Sequence, residues 1–141
     1  MAKDPRIDRL RKVPLFDTCD EKQLEFIASR VDEVDVSAGR VLTEQGRSGG
    51  EFFIILSGDA DVKRGGKTVA TLGAGDYFGE IALLDNGART ATVAATTALR
   101  CLVLSPRQFQ DVLYQDPAIA VNMLHAVVRR LRAAATQLPS D

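Results

Sequence analysis

The chain has 141 residues, a length common for one compact domain, and its 18 basic and 19 acidic residues nearly cancel. This balance argues against a strongly basic nucleic-acid-binding protein, and no apolar run approaches the roughly 20 residues that span a bilayer. The polar N-terminus shows no secretory signal, and two cysteines are too few for a disulfide framework or a zinc site. We therefore expect a single cytoplasmic domain over residues 1–141, without a metal, a membrane span or a direct nucleic-acid partner.

The N-terminal segment, residues 1–30, is predicted to be helical. Its apolar residues recur at helical spacing in two groups, Ile7, Leu10 and Val13, then Leu24, Ile27, Ala28 and Val31. A turn signal at 14–20 separates the two groups. Asp20 and Glu21 stand near the start of the second helix, where acidic side chains complement the helix dipole.

Strands are predicted from residue 31 to residue 104, because the apolar period changes there from 3.6 to 2. Val34 and Val36 alternate with polar residues, and Val41 resumes the pattern after Gly39. The near-continuous apolar run 52–56 predicts a buried strand.

A hairpin and two further strands follow. Segments with the period-2 alternation of strands flank Gly65-Gly66, and the two glycines supply the positive φ that a tight hairpin needs. Residues 81–84 are long enough for only a turn or two of helix. The Thr- and Val-rich segments 90–96 and 99–104 favour strands.

Two helices are predicted over residues 105–138. Ser105-Pro106 is typical of a helix start, and this helix should run through Leu113. Asp116-Pro117 repeats the signal for a final helix that ends near Leu138. Its predicted buried stripe is Ile119, Met123, Ala126, Val127, Leu131 and Ala134. Many short strands with helices at both ends predict a mainly β fold, a small β-barrel or jelly roll.

The segment 76–93 carries the chemistry of a ligand site. Gly79 lets backbone approach closely, and a short helix beginning there directs free N–H groups toward a phosphate. Arg89 offers a guanidinium fork matched to phosphate oxygens, and Glu80 is an acceptor suited to a ribose hydroxyl. Together these residue types predict a nucleotide sugar-phosphate site.

Each of these residues also has a plainer interpretation. A Gly-Glu pair alone is typical of a helix start, and an arginine alone is typical of a surface charge at a strand end. Ile81, Leu83 and Leu84 are core residues in either case. What favours a ligand site is the occurrence of all these residues in one segment of an all-β pattern.

Residues 78–91, F-G-E-I-A-L-L-D-N-G-A-R-T-A, resemble the phosphate-binding cassette of the cyclic nucleotide-binding domain family. That family's pattern is roughly F-G-E-[IL]-A-L, a hydrophobic residue, three variable residues, then [PR]-R-x-A. Ala88 stands where Pro or Arg is usual, which removes a turn-stiffening residue but no ligand group. The resemblance extends to Pro-Leu-Phe from Pro14, to Gly58, and to Gly-x-Gly-Asp-Tyr-Phe before the cassette.

The resemblance implies a role for each matching residue. Arg89 should pair with the exocyclic phosphate oxygens of a 3′,5′-cyclic nucleotide, and Glu80 should accept from the ribose 2′-OH. Gly79 and Ala82 should present backbone N–H groups, and Thr90 its hydroxyl. The implied binding residues of the cassette are Gly79, Glu80, Ile81, Ala82, Arg89, Thr90 and Ala91. Val62, Val69 and Leu72 match positions that wall the base, and the candidates for a base cap on the final helix are Ala135 and Thr136.

The fold implied is a jelly roll (a double-stranded β-helix) over residues 31–104, with a C-terminal hinge and helical lid at 105–138. Ligand binding should move these helices and so regulate an unidentified partner protein or attached effector. Thr90 occurs both in cGMP-preferring kinases and channels and in cAMP-responsive domains. The Ala- and Arg-rich composition is typical of a bacterial protein, and we therefore favour cAMP. A homodimer is a further candidate, because Ala133, Ala134 and Ala135 would allow close packing against a second copy.

Other functions are weighed against this one. A cGMP-selective sensor and a ligand-free degenerate domain that serves as an interaction or dimerisation scaffold are the alternatives. A metal-dependent enzyme of the cupin type needs two or three histidines, whereas this chain has only His125, so no catalysis is expected. In bacterial relatives a DNA-binding domain would begin near Asp141, and we expect a sensor without its own output domain.

Overall fold

A computed structural model describes residues 4–136. They form two compact units, a β unit of residues 30–109 and a helical unit of residues 4–29 and 110–136. The helices are α1 (Pro5–Arg11), α2 (Glu21–Ala28), α3 (Glu80–Asp85), α4 (Pro106–Gln115) and α5 (Pro117–Ala135), with a 3₁₀ turn at Pro14–Phe16. The strands are β1 (Asp32–Val36), β2 (Val41–Thr43), β3 (Phe52–Ser57), β4 (Ala60–Arg64), β5 (Lys67–Leu72), β6 (Tyr77–Phe78), β7 (Thr92–Ala95) and β8 (Leu99–Leu104).

The helix starts follow from side chains that cap free backbone N–H groups. Asp20 and Gln23 form a capping box at α2, in which the carboxylate accepts from the Gln23 N–H at 2.8 Å. Ser105 Oγ accepts from the Gln108 N–H at 3.2 Å before α4, and Asp116 caps α5. The predicted helix starts at Pro106 and Pro117 are therefore confirmed.

The predicted stripe of α5 is partly wrong. Ile119, Met123 and Ala126 are buried, but Leu131 is 64% exposed and Ala134 is exposed as well. Val127 is half-buried. The helix ends at Ala135 with Thr136 as its C-cap, and the predicted extension to 137 and 138 lies outside the described residues.

The β unit consists of two four-stranded antiparallel sheets, with strand orders β1-β8-β3-β6 and β2-β7-β4-β5. Its core cluster contains Val36, Ile55, Ala60, Val93, Ala95, Leu99 and Cys101. The mainly β jelly roll with flanking helices is confirmed. The predicted hairpin joins β4 and β5 through Gly65 and Gly66, whose φ angles are 58° and 80°.

One strand was not predicted. Tyr77 and Phe78 form β6, which pairs with Phe53 and Ile54 of β3. The Phe53 and Phe78 rings stack with their centroids 4.7 Å apart. This pairing fixes the chain immediately before Gly79, where α3 and the candidate site begin.

Candidate ligand-binding site

Gly79 begins the site, and its position requires glycine. Its φ is 91°, in the left-handed region that L side chains rarely adopt. A Cβ atom built there would lie 2.5 Å from the Glu51 backbone oxygen and 2.8 Å from Arg89 Nη1. The backbone of Gly79 therefore packs directly against the guanidinium of Arg89.

The short helix α3 follows Gly79 and turns the chain back toward Arg89. The prediction that Ile81, Leu83 and Leu84 are core residues is wrong for two of them, because Leu83 is buried but Ile81 is 60% exposed and Leu84 is 46% exposed. The helix ends at Asn86, which is left-handed with a φ of 53° and donates its N–H to the Ala82 carbonyl at 2.7 Å. The Asp85 carboxylate accepts from the Gly87 N–H at 2.8 Å. These hydrogen bonds fix the turn between α3 and Arg89, although Ala88 lacks the stiffness of a proline at this position.

The backbone of Arg89 is fixed by the loop that precedes β3. Its N–H donates to the Arg47 carbonyl at 2.8 Å, and its carbonyl accepts from the Gly46 N–H at 2.9 Å. Ser48 and Ala88 form an isolated β-bridge beside them. Both the N–H and the carbonyl of Arg89 are therefore held by backbone hydrogen bonds to this loop.

The Arg89 side chain is buried, with only 7% of its surface exposed. Its Nη2 donates to the Glu51 backbone oxygen at 2.9 Å and to the Glu51 carboxylate at 3.3 Å. Its Nη1 is buried and has no hydrogen-bond partner among residues 4–136. A charged donor that is buried without a partner is energetically unfavourable, and an anion beside it would supply the missing acceptor. The interpretation of Arg89 as a surface charge is thus excluded.

A cavity of about 280 Å³ adjoins this guanidinium. Its volume lies near the lower end of the range for small-molecule sites. Every cassette residue predicted to bind lines it, namely Gly79, Glu80, Ile81, Ala82, Arg89, Thr90 and Ala91. The structure therefore brings together a buried cation, a half-buried carboxylate (Glu80) and an exposed hydroxyl (Thr90) around one cavity.

The other predicted binding residues do not line this cavity. Val62 pairs in register with Val93 and packs, like Leu72, against the core cluster. Val69 is 53% exposed. Ala135 and Thr136 belong to the helical unit, where Thr136 Oγ1 donates to the Ala133 carbonyl at 2.8 Å. The base-walling and base-capping roles stay predictions.

The sequence pattern missed several residues of the site. Thr43, Phe78, Asp85 and Val93 also line the cavity, and Thr43 Oγ1 donates to the Ala91 carbonyl at 3.2 Å. Glu51 was missed as well, although it provides both partners of Arg89 Nη2. On the Glu51 side the closer contact uses only the backbone oxygen, and therefore no side-chain motif at Glu51 could have indicated it.

Two kinds of feature are absent from the part of the chain that the structure describes. No helix among residues 4–136 is long and apolar enough to cross a membrane. Nor do those residues contain a group of three or more His, Cys, Asp or Glu side chains that could hold a metal ion.

Comparisons with known proteins agree with this geometry. A family model described as "Cyclic nucleotide-binding domain" matches residues 33–116. The cAMP-dependent protein kinase regulatory subunit of Mycosarcoma maydis is 41% identical over 113 residues, which cover 74% of this chain and 22% of that protein. Across the similar curated regulatory subunits, the chain spans between 22% and 28% of their length.

Two solved structures have similar folds. The N-terminal domain of a transcriptional regulator from Streptomyces coelicolor A3(2) has a TM-score of 0.84 and 30% identity, covering 95% of this chain and 99% of that one. The regulatory domain of Toxoplasma gondii PKA, solved with cAMP, has a TM-score of 0.70 and 31% identity, covering 79% of this chain and 46% of that one.

Proposed function

Because the chain belongs to the cyclic nucleotide-binding domain family, we propose that it is a sensor that binds cAMP in the cavity beside Arg89. The observation that carries this proposal is the buried Nη1 of Arg89, which has no acceptor among residues 4–136 and adjoins the cavity lining. The cyclic phosphate is a singly charged anion whose two exocyclic oxygens are acceptors. It would complete the hydrogen bonding of Nη1 and neutralise the guanidinium.

The remaining cavity residues fit the sugar. Glu80 is a carboxylate in the first turn of α3 and would accept a hydrogen bond from the ribose 2′-OH. The backbone N–H groups of that turn, together with the Thr90 hydroxyl, would contribute further donors to the phosphate. This set binds and orients a ligand, and we assign the chain a regulatory rather than a catalytic role.

The preference for cAMP rests on the relatives. The curated regulatory subunits are named for dependence on cAMP, and the Toxoplasma gondii neighbour was solved with it. Thr90 keeps a cGMP-selective sensor as the second candidate, because its hydroxyl lies at the cavity. Movement of the helices 105–138, the effector they would regulate, a homodimer, the cytoplasmic location and the bacterial origin stay predictions.

The test is isothermal titration of nucleotide-free protein with cAMP, with cGMP and with adenosine 5′-monophosphate. We expect cAMP to bind with a Kd on the order of 1 μM or tighter, and cGMP to bind about tenfold more weakly. Adenosine 5′-monophosphate should bind least, because its extra negative charge would lie beside Glu80 and Asp85, which line the cavity with Arg89. Tighter binding of cGMP would reverse the stated preference. Absence of binding by both cyclic nucleotides would contradict the sensor and favour the scaffold.

A further inference from the structure

Asp85 contributes a carboxylate to the lining of the ligand cavity, in the turn that leads to Arg89. It is the last residue of α3, it is exposed, and it lines the cavity together with Gly87 and Arg89. Its Oδ1 accepts from the Gly87 N–H at 2.8 Å. Within residues 4–136 this is the one hydrogen bond of the Asp85 side chain, which forms no ion pair there.

The turn needs an acceptor at this position but not a charge. The backbone of Gly87 packs against the carboxylate, since a Cβ atom built on Gly87 would lie 3.1 Å from Asp85 Oδ1. The amide oxygen of an asparagine would accept the same hydrogen bond. A negative charge is also unfavourable at the carboxyl end of a helix, where the free carbonyl oxygens are partially negative. The local structure therefore does not explain why residue 85 is charged.

The lining of the cavity contains more negative than positive charge. Its ionisable side chains are one cation, Arg89, and two carboxylates, Glu80 and Asp85. A cavity of about 280 Å³ is as large as a sphere about 8 Å across, which is less than the Debye length of about 10 Å in 0.1 M salt. The charge of Asp85 therefore acts on a phosphate bound beside Arg89. A second negative charge on that phosphate is attracted by one side chain and repelled by two.

We propose that Asp85 determines the charge selectivity of the cavity, because its carboxylate repels the second negative charge of a phosphate monoester. This inference rests on the proposed function, since it specifies which class of phosphate the cavity accepts. A cyclic nucleotide is a phosphodiester with one negative charge, whereas a monoester carries nearly two above its second pKa of about 6. Glu80 is assigned to the ribose hydroxyl, so that Asp85 is the carboxylate that acts on the phosphate through charge alone.

Two linear nucleotides separate the effect of charge from the effect of the cyclic ring. Adenosine 5′-monophosphate and its methyl phosphate ester share the sugar and the base, and both lack the ring, but the ester carries one negative charge instead of two. The ratio of their Kd values therefore measures the penalty on the second charge. Titration of cAMP into protein preincubated with each linear nucleotide, at about pH 7.5, gives both Kd values by competition.

The variants change the charge and the hydrogen bond of residue 85 separately. Asp85→Asn removes the charge but keeps the acceptor for the Gly87 N–H, and Asp85→Glu keeps the charge. Asp76→Asn is the matched control, because Asp76 is also exposed, also accepts from a glycine N–H at 2.8 Å, and does not line the cavity. Thermal melting checks that each variant is folded.

We expect the monoester to bind the wild type about fivefold more weakly than the methyl ester in about 0.02 M salt. Asp85→Asn should lower this ratio about threefold and tighten cAMP binding about twofold. Asp85→Glu and Asp76→Asn should keep the ratio within about 1.5-fold of the wild type. In about 0.5 M salt the ratios of the wild type and Asp85→Asn should converge, because the Debye length falls to about 4 Å. A purely structural role of Asp85 would change both Kd values together at either salt concentration.

Any of five results would overturn the role of Asp85. They are a wild-type ratio of one or less, an unchanged ratio in Asp85→Asn, an equal decrease in Asp76→Asn or in Asp85→Glu, a decrease in Asp85→Asn that persists in about 0.5 M salt, and no competition by either linear nucleotide at about 10 mM. The last result would mean that ring shape rather than charge excludes monoesters. If the wild type binds cAMP and any of these occurs, only the charge selectivity fails. If the wild type does not bind cAMP, the proposed function fails, and the charge selectivity fails with it.

Discussion

Replacement of Arg89 with alanine should separate ligand binding from folding. In the wild type, Arg89 Nη2 donates one close hydrogen bond to the Glu51 carbonyl, at 2.9 Å, and makes a longer contact with the Glu51 carboxylate, at 3.3 Å. Loss of a charge-assisted hydrogen bond costs about 1.5–3 kcal/mol of unfolding free energy. The substitution also removes a buried Nη1 that has no partner among residues 4–136, which offsets about 1–3 kcal/mol of that loss.

The two effects nearly cancel in the free protein. The Glu51 carboxylate is 49% exposed and returns to water when the arginine is removed. We therefore expect the unfolding free energy of Arg89→Ala to lie within about 2 kcal/mol of the wild type. A urea titration followed by circular dichroism measures this difference.

The effect on the ligand should be much larger. Without Arg89 the phosphate has no cation in the shielded cavity, and removal of one partner of a buried charge pair costs about 3–5 kcal/mol. Since each 1.4 kcal/mol is about tenfold in Kd, cAMP binding should weaken at least about a hundredfold. Arg89→Lys should bind cAMP more weakly than the wild type and more tightly than Arg89→Ala. An ammonium keeps the charge but cannot contact Glu51 and the phosphate with a planar fork.

Arg47→Ala is the matched control for this experiment. The Arg47 side chain is 77% exposed, pairs with Glu44 at 3.1 Å and does not line the proposed ligand cavity. Its backbone carbonyl, which accepts from the Arg89 N–H, is kept in the alanine variant. Arg47→Ala removes the same charge as Arg89→Ala, and the affinity of this variant for cAMP should stay within about threefold of the wild type. The reasoning is refuted if Arg89→Ala binds cAMP within a few-fold of the wild type, or if Arg47→Ala loses as much affinity as Arg89→Ala.

Two further predictions concern the glycine of the cassette and the thiols. Gly79→Ala should lower the unfolding free energy by about 1–3 kcal/mol more than Gly66→Ala, measured by urea titration, and should weaken cAMP binding. Both positions have positive φ, but only at Gly79 would a Cβ atom meet backbone, and equal losses would refute the predicted clash. Burial raises the pKa of the Cys19 and Cys101 thiols from 9.0 to about 11. Stability should therefore be full below about pH 9 and fall as pH rises toward 11, and native protein at pH 8 should react with Ellman's reagent far more slowly than protein in urea. Rapid reaction of either thiol in the native state would contradict the burial.

Local chemistry made much of the β unit predictable. Gly65-Gly66 indicated the hairpin because few other residue pairs adopt two positive φ angles, and the structure has φ values of 58° and 80° there. The short helix predicted at 81–84 is α3, Glu80–Asp85. The two-residue strand β6 was missed, since Tyr77 and Phe78 are too few to show a period of 2.

The error in α5 has a different cause. The helix contains a second apolar row, Val121, Leu124, Val128 and Leu131, all of which are exposed. Both rows have helical spacing, and periodicity alone cannot decide which one tertiary packing covers. Leu131 was assigned to the buried stripe for this reason.

The candidate site likewise contains residues that the sequence indicated and a residue that it did not. Gly79, Glu80 and Arg89 carry recognisable chemistry in one short segment, so the sequence indicated the cassette. Glu51 is distant from the cassette in sequence and contacts Arg89 partly through its backbone carbonyl, which every residue possesses. Its contact with Arg89 exists only because β3 and the cassette are adjacent in the folded chain.

The central claim is that Arg89 binds the phosphate of a cyclic nucleotide in this cavity. A crystal structure of the protein grown with cAMP tests it most directly. We predict an exocyclic phosphate oxygen about 2.7–2.9 Å from Arg89 Nη1, with the ribose 2′-OH within hydrogen-bond distance of the Glu80 carboxylate. A nucleotide bound elsewhere, or one whose phosphate does not contact Arg89, would contradict the account.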